Sequence, residues 1–335
     1  MICTDSASIR LVARLSHAVI PLLNWFLPRF VLTIYSNSVN SVNMKRKIVP
    51  IALCLSFFSS CALLKAGNYA SDVFMRESDP ALAAAALPTM MKASEALYHA
   101  DPKSEAKALT TAQLYVMYAN AFLDTEAFLL PDEQFDAKHA LSVRAKALYT
   151  RASAILVPIV EKLVPGAFQT DFSDDPKARD SLARLGKKDV PLLYWTSAAI
   201  LGAFADDPMD FDNAGRAGGA IVLFEKAREL DPGWNGGALH ELALTIYGSM
   251  PAELGGNAGK AIEAYEAAIA ATGGRSPGPY VAYAQAICTK SGDAEGFKKA
   301  LATALELESR PEAALMDSLS KRKARRLLDD LRLYF

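Results

Sequence analysis

The chain has 335 residues, 36 basic and 37 acidic side chains, a net charge of −1 and 51% hydrophobic residues. That near-neutral balance argues against a nucleic-acid partner, which requires a basic field. The length allows one sizeable core or a repeat array.

Residues 1–43 are apolar in patches, at 22–26 and 30–35, but Arg14, Pro21, Pro28 and Arg29 interrupt every candidate span. No uncharged window of about 18 residues exists there. Residues 44–61, MKRKIVPIALCLSFFSSC, read differently. Lys45, Arg46 and Lys47 follow a methionine, and thirteen uncharged residues lead to Cys61. A basic start, a short apolar centre and the small residues Ser59 and Ser60 make an export signal. A bilayer span needs about 20 apolar residues, so this run is too short to cross.

A cysteine directly after the small residues points to a bacterial lipoprotein signal, with Cys61 as the acylated first residue of the mature chain. Phe58 stands where such signals usually carry Leu, and bulky Leu53 rules out Cys54 as the site. A signal is read near a true N-terminus, so translation is expected to start at Met44, leaving 1–43 unmade. The expected division is 44–60 signal, 61–78 lipidated tether and 79–335 a single helical domain. Removing residues 1–60 takes away six basic residues and one acidic residue, leaving 30 against 36, net −6. Of the four cysteines only Cys61 and Cys288 remain, so no intrachain disulfide is available and packing must supply stability.

The rest reads as helix throughout, with abundant Ala and no alternating stretch of strand length. Asp79 and Pro80 are an N-cap and first-turn proline for a helix over 80–100, which Pro88 is expected to break or kink. A helix over 110–130 carries Leu114, Met117, Tyr118, Ala121 and Phe122 on one stripe and ends at Pro131. A long helix over 134–163 follows, with a kink expected at Pro158. Residues 171–180 are a loop or short helix. A helix over 191–204 leads into an acidic loop over 206–213.

From there a period appears. Small residues Ala220, Ala261 and Ala300 recur at spacings of 41 and 39; Phe224, Tyr265 and Ala304 stand four residues on. Three further on are Ala227, Ala268 and Leu307, and an earlier copy holds Ala145, Tyr149 and Ala152. Small, aromatic at +4, small at +7 and proline at +12 (Pro232) resemble the second helix of a tetratricopeptide repeat. Small residues let two helices approach, and the aromatic fills the groove to the next repeat. First helices over 110–130, 191–204, 237–248 and 279–290 make about four degenerate repeats, although the first-helix Trp-Leu-Gly-Tyr signature is mostly absent. The fold class is therefore all-α: a helical-hairpin repeat array with N-terminal helices and a C-terminal capping helix over 311–331. Leu315, Leu319, Leu327 and Leu328 should face inward.

Catalytic motifs fail one by one, and no enzyme, cofactor or metal site is expected. Gly274-Arg-Ser276-Pro-Gly278 matches a nucleophile elbow in letters, but its flanks are helical and Pro277 has no N–H for an oxyanion hole. His240-Glu241 lacks the second histidine of a zinc motif, Leu244 standing in its place. The glycines of 255–260 are one residue short of a phosphate loop, and Ala261 replaces the Ser or Thr. Asp206, Asp207, Asp210 and Asp212 lack the closing Glu of a calcium loop, Ile221 standing there. They read as a solvated, capping loop. Lys321, Arg322, Lys323, Arg325 and Arg326 read as cations favoured near a helix C-terminus, with an anionic lipid or a partner as the other reading.

What remains is a binding surface. Tyr194, Trp195, His240 and Tyr247 lie on first helices, which line the concave face of such arrays, and Trp234 just precedes one. They either pack the core or line a pocket for an apolar ligand.

Asp79-Pro-Ala-Leu with Leu87-Pro88, Asp189-VPLLYW-Thr196, Gly237-ALH-Glu241 and Gly255-Gly256 ahead of the 261 helix share a further likeness. With the lipoprotein cysteine, they resemble the T component of tripartite ATP-independent periplasmic (TRAP) transporters over roughly 61–331. The resemblance implies an all-helical repeat fold beside a periplasmic solute-binding protein and a permease that imports organic ligands on an ion gradient. It also implies a homo-oligomer, taken here as a trimer. Two functions follow. One is a lipid-anchored transport accessory, at the inner membrane facing the periplasm, that docks the solute-binding protein and assists uptake of an apolar or amphipathic ligand. The other is an envelope scaffold. A deep apolar pocket would favour the first and an open, charged groove the second.

Overall fold

The computed structural model describes residues 72–335 apart from 170, 171, 173 and 174, all within one compact unit. The readings of residues 1–60, Cys61 and the tether up to 71 lie outside the described residues.

Helix α1 is Pro80–Ala100, with the Asp79 carboxylate accepting from the Ala81 N–H at 2.9 Å. It runs through Pro88 without a break, which leaves a kink as the only form the expected interruption can take. The neighbouring Ala83, Leu87 and Met91 are buried along one face, so packing holds the helix through the missing hydrogen bond. Helix α2 begins earlier than hydropathy suggests, at Glu105, because Ser104 caps it. It comprises Glu105–Tyr118, a π-helical turn Ala119–Asp124 and Thr125–Leu129. Helix α3, Phe135–Leu163, continues past Pro158. Helix α4, Pro176–Ala183, is capped by Asp175.

Three further hairpins follow. Helices α5 (Val190–Asp206) and α6 (Phe211–Leu230) form one, α7 (Ala238–Ser249) and α8 (Ala258–Thr272) the next. Helix α9 runs as Pro277–Tyr283, a second π-helical turn Ala284–Cys288 and Thr289–Ser291, and pairs with α10 (Ala294–Glu306). Helix α11, Ala314–Asp329, follows a short 3-10 turn, and Leu331–Tyr334 ends the chain as α12. The fold is an all-α array of hairpins α2/α3, α5/α6, α7/α8 and α9/α10.

The repeat register holds at the atomic level. Ala145, Tyr149 and Ala152, then Ala220, Phe224 and Ala227, are buried, as are Ala261, Ala268, Ala300 and Ala304. Close approach is enforced where side chains vanish. A Cβ on Gly219 would sit 2.1 Å from the Ala167 carbonyl oxygen, and one on Gly248 would sit 2.7 Å from the Ala286 Cβ. Phe224 and Leu223 fill the middle core, while Tyr115, Tyr149 and Leu156 fill the first.

The array closes on itself. Helix α11 covers α9 and α10 through Ala324 and Leu327, and it also packs on α1 and the end of α2. Leu315 and Leu319 meet Ala83, Leu87, Ala121 and Phe122 in a core of their own. Arg322 donates to Glu126 at 2.8 Å, and Arg326 reaches the Leu130 carbonyl. Neither expected role of the C-terminal cations anticipated this seam; they tie the last helix to the first hairpin.

Candidate functional site

The five aromatic and histidine candidates fall into two groups. Tyr194 and Trp195 stand side by side in α5, their rings edge to face at 4.9 Å. Trp234 reaches Tyr194 at 4.7 Å from the turn before α7. That reach depends on three successive left-handed residues, Asn235 at φ 50°, Gly236 at 64° and Gly237 at 97°, which reverse the chain and return the indole to α5. All three rings are half-buried. Tyr194 and Trp234 pack on the middle core and Trp195 on the first, so the trio spans the joint between them.

Beside the trio lies Glu241. Burial pushes its carboxyl up from the usual range, with the Arg310 guanidinium and the Ser276 hydroxyl acting the other way. Burial and the nearby Glu241 charge likewise push the Tyr194 phenol well up. The Ser276 hydroxyl donates to Glu241 Oε1 at 3.3 Å and accepts from Arg310 at 3.1 Å. Arg310 in turn binds buried Asp317 through three hydrogen bonds, one from its backbone N–H and two from its guanidinium, at 2.8, 3.1 and 2.6 Å. The elbow-like serine is therefore the turn before α9, as its flanks indicate, and it joins three charged groups, Glu241, Arg310 and Asp317, in one network.

His240 and Tyr247 do not join the trio. The Tyr247 hydroxyl donates to Glu225 at 2.5 Å, and Lys260 lies 5.1 Å from its ring centroid. His240 is pushed down by burial and by Arg228, and its Nδ1 is buried without a hydrogen-bond partner among the described residues. Two turns apart on α7, both face α6 rather than the aromatic joint. Glu241 was passed over in the sequence as half of a failed zinc motif. A glutamate between apolar Leu239 and Leu242 was the signal.

The acidic loop divides as well. Asp210 caps α6 through the N–H groups of Asp212 and Asn213, and Lys146 bridges Asp207 and Asp210 at 2.7 Å each. Asp206 departs from the solvated reading, because it ends α5 on the inner side and its Oδ2 is buried.

The described residues form surface clefts, two of which stand out. One of about 410 Å³ lies between Pro131–Glu133 and Arg326, Asp330 and Arg332; another of about 460 Å³ lies between Arg179 and Leu182 of α4 and Glu225 and Lys226 of α6. Both are lined by charges, as expected of the scaffold reading rather than of an apolar ligand pocket, and none of the five candidates lines either. No described helix is long and apolar enough to cross a membrane.

The model of the TRAP transporter T-component family matches residues 76–335. The chain belongs to that family. An uncharacterized protein of Treponema pallidum (strain Nichols) is 32% identical over 256 residues, covering 76% of this chain and 79% of its own. The matched span takes in every helix from α1 to α12. Membership makes this T component an accessory part of a TRAP transport system.

Proposed function

We propose that this T component is a periplasmic lipoprotein, anchored through acylated Cys61, that docks the solute-binding protein of its TRAP transporter and assists uptake of an apolar or amphipathic organic ligand. Acyl chains stabilise membrane attachment by about 0.8 kcal/mol per buried CH₂, so two or three hold it firmly. The observation that supports the ligand reading is the Tyr194–Trp195–Trp234 joint with Glu241 beside it. Three half-buried rings meet at the joint between two cores, and the Glu241 charge acts on the Tyr194 phenol. That combination of many apolar contacts and few polar ones suits a small organic molecule.

The test uses dodecanoate as probe. Calorimetric titration of the wild type and Trp195→Ala should show affinity falling about tenfold or more in the variant, in line with the loss of one large aromatic contact, with helicity unchanged. Equal affinity in both proteins, or a variant that unfolds, contradicts the assignment of Trp195.

A further inference from the structure

The closing seam carries an unusual charge arrangement. Asp124 ends the π-helical turn of α2 and Asp206 ends α5. Oδ1 of Asp124 and Oδ2 of Asp206 are each buried without a hydrogen-bond partner among the described residues. The other Asp124 oxygen accepts from the Tyr149 hydroxyl of α3 at 2.6 Å. Helix α11 is held here by the Arg322–Glu126 hydrogen bond, two residues beyond Asp124, and its next residue, Lys323, adds a positive charge that acts on Asp124. A Cβ on Gly202, one turn before Asp206, would sit 2.6 Å from the Tyr149 ring, so α2, α3 and α5 meet where the two acids lie.

The neighbouring charges are already engaged. Arg322 of α11 holds Glu126 of α2, and Lys146 of α3 holds both Asp207 and Asp210 at the α5–α6 turn. The Lys323 charge is left to offset Asp124, while Asp206 has only a share of Lys146. Two ionised carboxylates against one ammonium leave an uncompensated interior charge, and a single proton removes it.

We infer that closure of α11 onto α2 is proton-linked: the seam holds one proton on the Asp124–Asp206 pair and loosens when that proton leaves. Titration of the pair agrees with this. Burial pushes Asp124 up to about 6, against the opposing pull of Tyr149 and Lys323. Burial, reinforced by Asp124, pushes Asp206 up to about 7. Lys323 is itself pushed down by burial, with Asp124 opposing. Acids raised in the closed form favour closure fully below the ordinary carboxylate range. That advantage is lost as pH rises through 6 and 7.

Hydrogen exchange of the intact purified chain between pH 5 and 8, corrected for intrinsic rates, tests this. Uptake of one proton changes an opening constant by at most about tenfold per pH unit. The opening constants of α11 and of the facing turn Ala119–Asp124 should rise severalfold across pH 6–7 in the wild type. Those of α7 and α8 should stay level. Asp206→Asn should flatten the α11 profile, and Asp124→Asn provides the same test should the first variant fail to fold. A level wild-type profile overturns the inference. So does a rise shared equally by α7 and α8, or a slope that persists in both variants.

Discussion

Asp317 is 1% exposed and bound in a fork by Arg310, and that pair fixes the turn into the last helix. Removing one partner of a buried pair leaves the other charge uncompensated. Asp317→Asn should therefore lower stability by roughly 3 kcal/mol, read from the urea midpoint. Asp206 acts in the opposite sense. Its raised pKa means that ionisation opposes folding, and the opposition grows from the ordinary carboxylate range up to about pH 7. Asp206→Asn should raise the melting temperature at pH 8 and leave it nearly unchanged at pH 4. A variant equally or less stable at pH 8 contradicts that sign. Single residues were where sequence reading reached least. Tyr194, Trp195 and Trp234 were legible as large aromatics and do come together. His240 and Tyr247 looked equivalent to them only because periodicity gives a residue's helix and not the neighbour it faces. Asp124 left no motif, while Glu241 and Lys323 stood out only as part of a failed zinc motif and of a cationic cluster, since their significance lies in burial and in partners far along the chain.

Elements were far more legible, because capping and hydrophobic period are local. Asp79 with Pro80 gave the start of α1 to the residue, and Asp79→Ala should cost about 1 kcal/mol in chemical denaturation. The spacing of Ala220, Phe224 and Ala227 gave the second-helix register, and all three are 0% exposed. The two π-helical turns were not foreseen. Each adds a residue's width to a first helix so that more side chains face inward, and Ala119, Ala121, Phe122 and Leu123 are all buried in the first. No single-sequence period marks such a bulge. Gly219 belongs to this scale too, because its missing side chain sets the spacing between α6 and the segment after α3. With backbone as the obstructing atom, Gly219→Ala should cost about 1–3 kcal/mol by thermal unfolding. A neutral result would mean that the two segments separate freely.

At the scale of the whole molecule, the array is closed rather than open-ended. Repeat arrays expose an apolar face wherever a neighbour is missing, so the last helix must cover something. Here α11 covers both ends, Phe297 and Leu301 on one side and Leu87 and Phe122 on the other. A chain ending at Leu307 should aggregate and lose amide protection in α1 as well as in α10. Retained protection in α1 would show that the two ends are independent. A capping helix was legible in the leucines of 315–328; closure was not, since Arg322 and Glu126 are 196 residues apart. The central claim is that this T component docks a solute-binding protein. Sedimentation velocity on the chain from residue 62 onward, mixed with the purified solute-binding protein of its own TRAP transporter, tests that most directly. A new boundary of fixed stoichiometry is predicted. Two boundaries that sediment independently at every ratio, with both proteins folded, would contradict it.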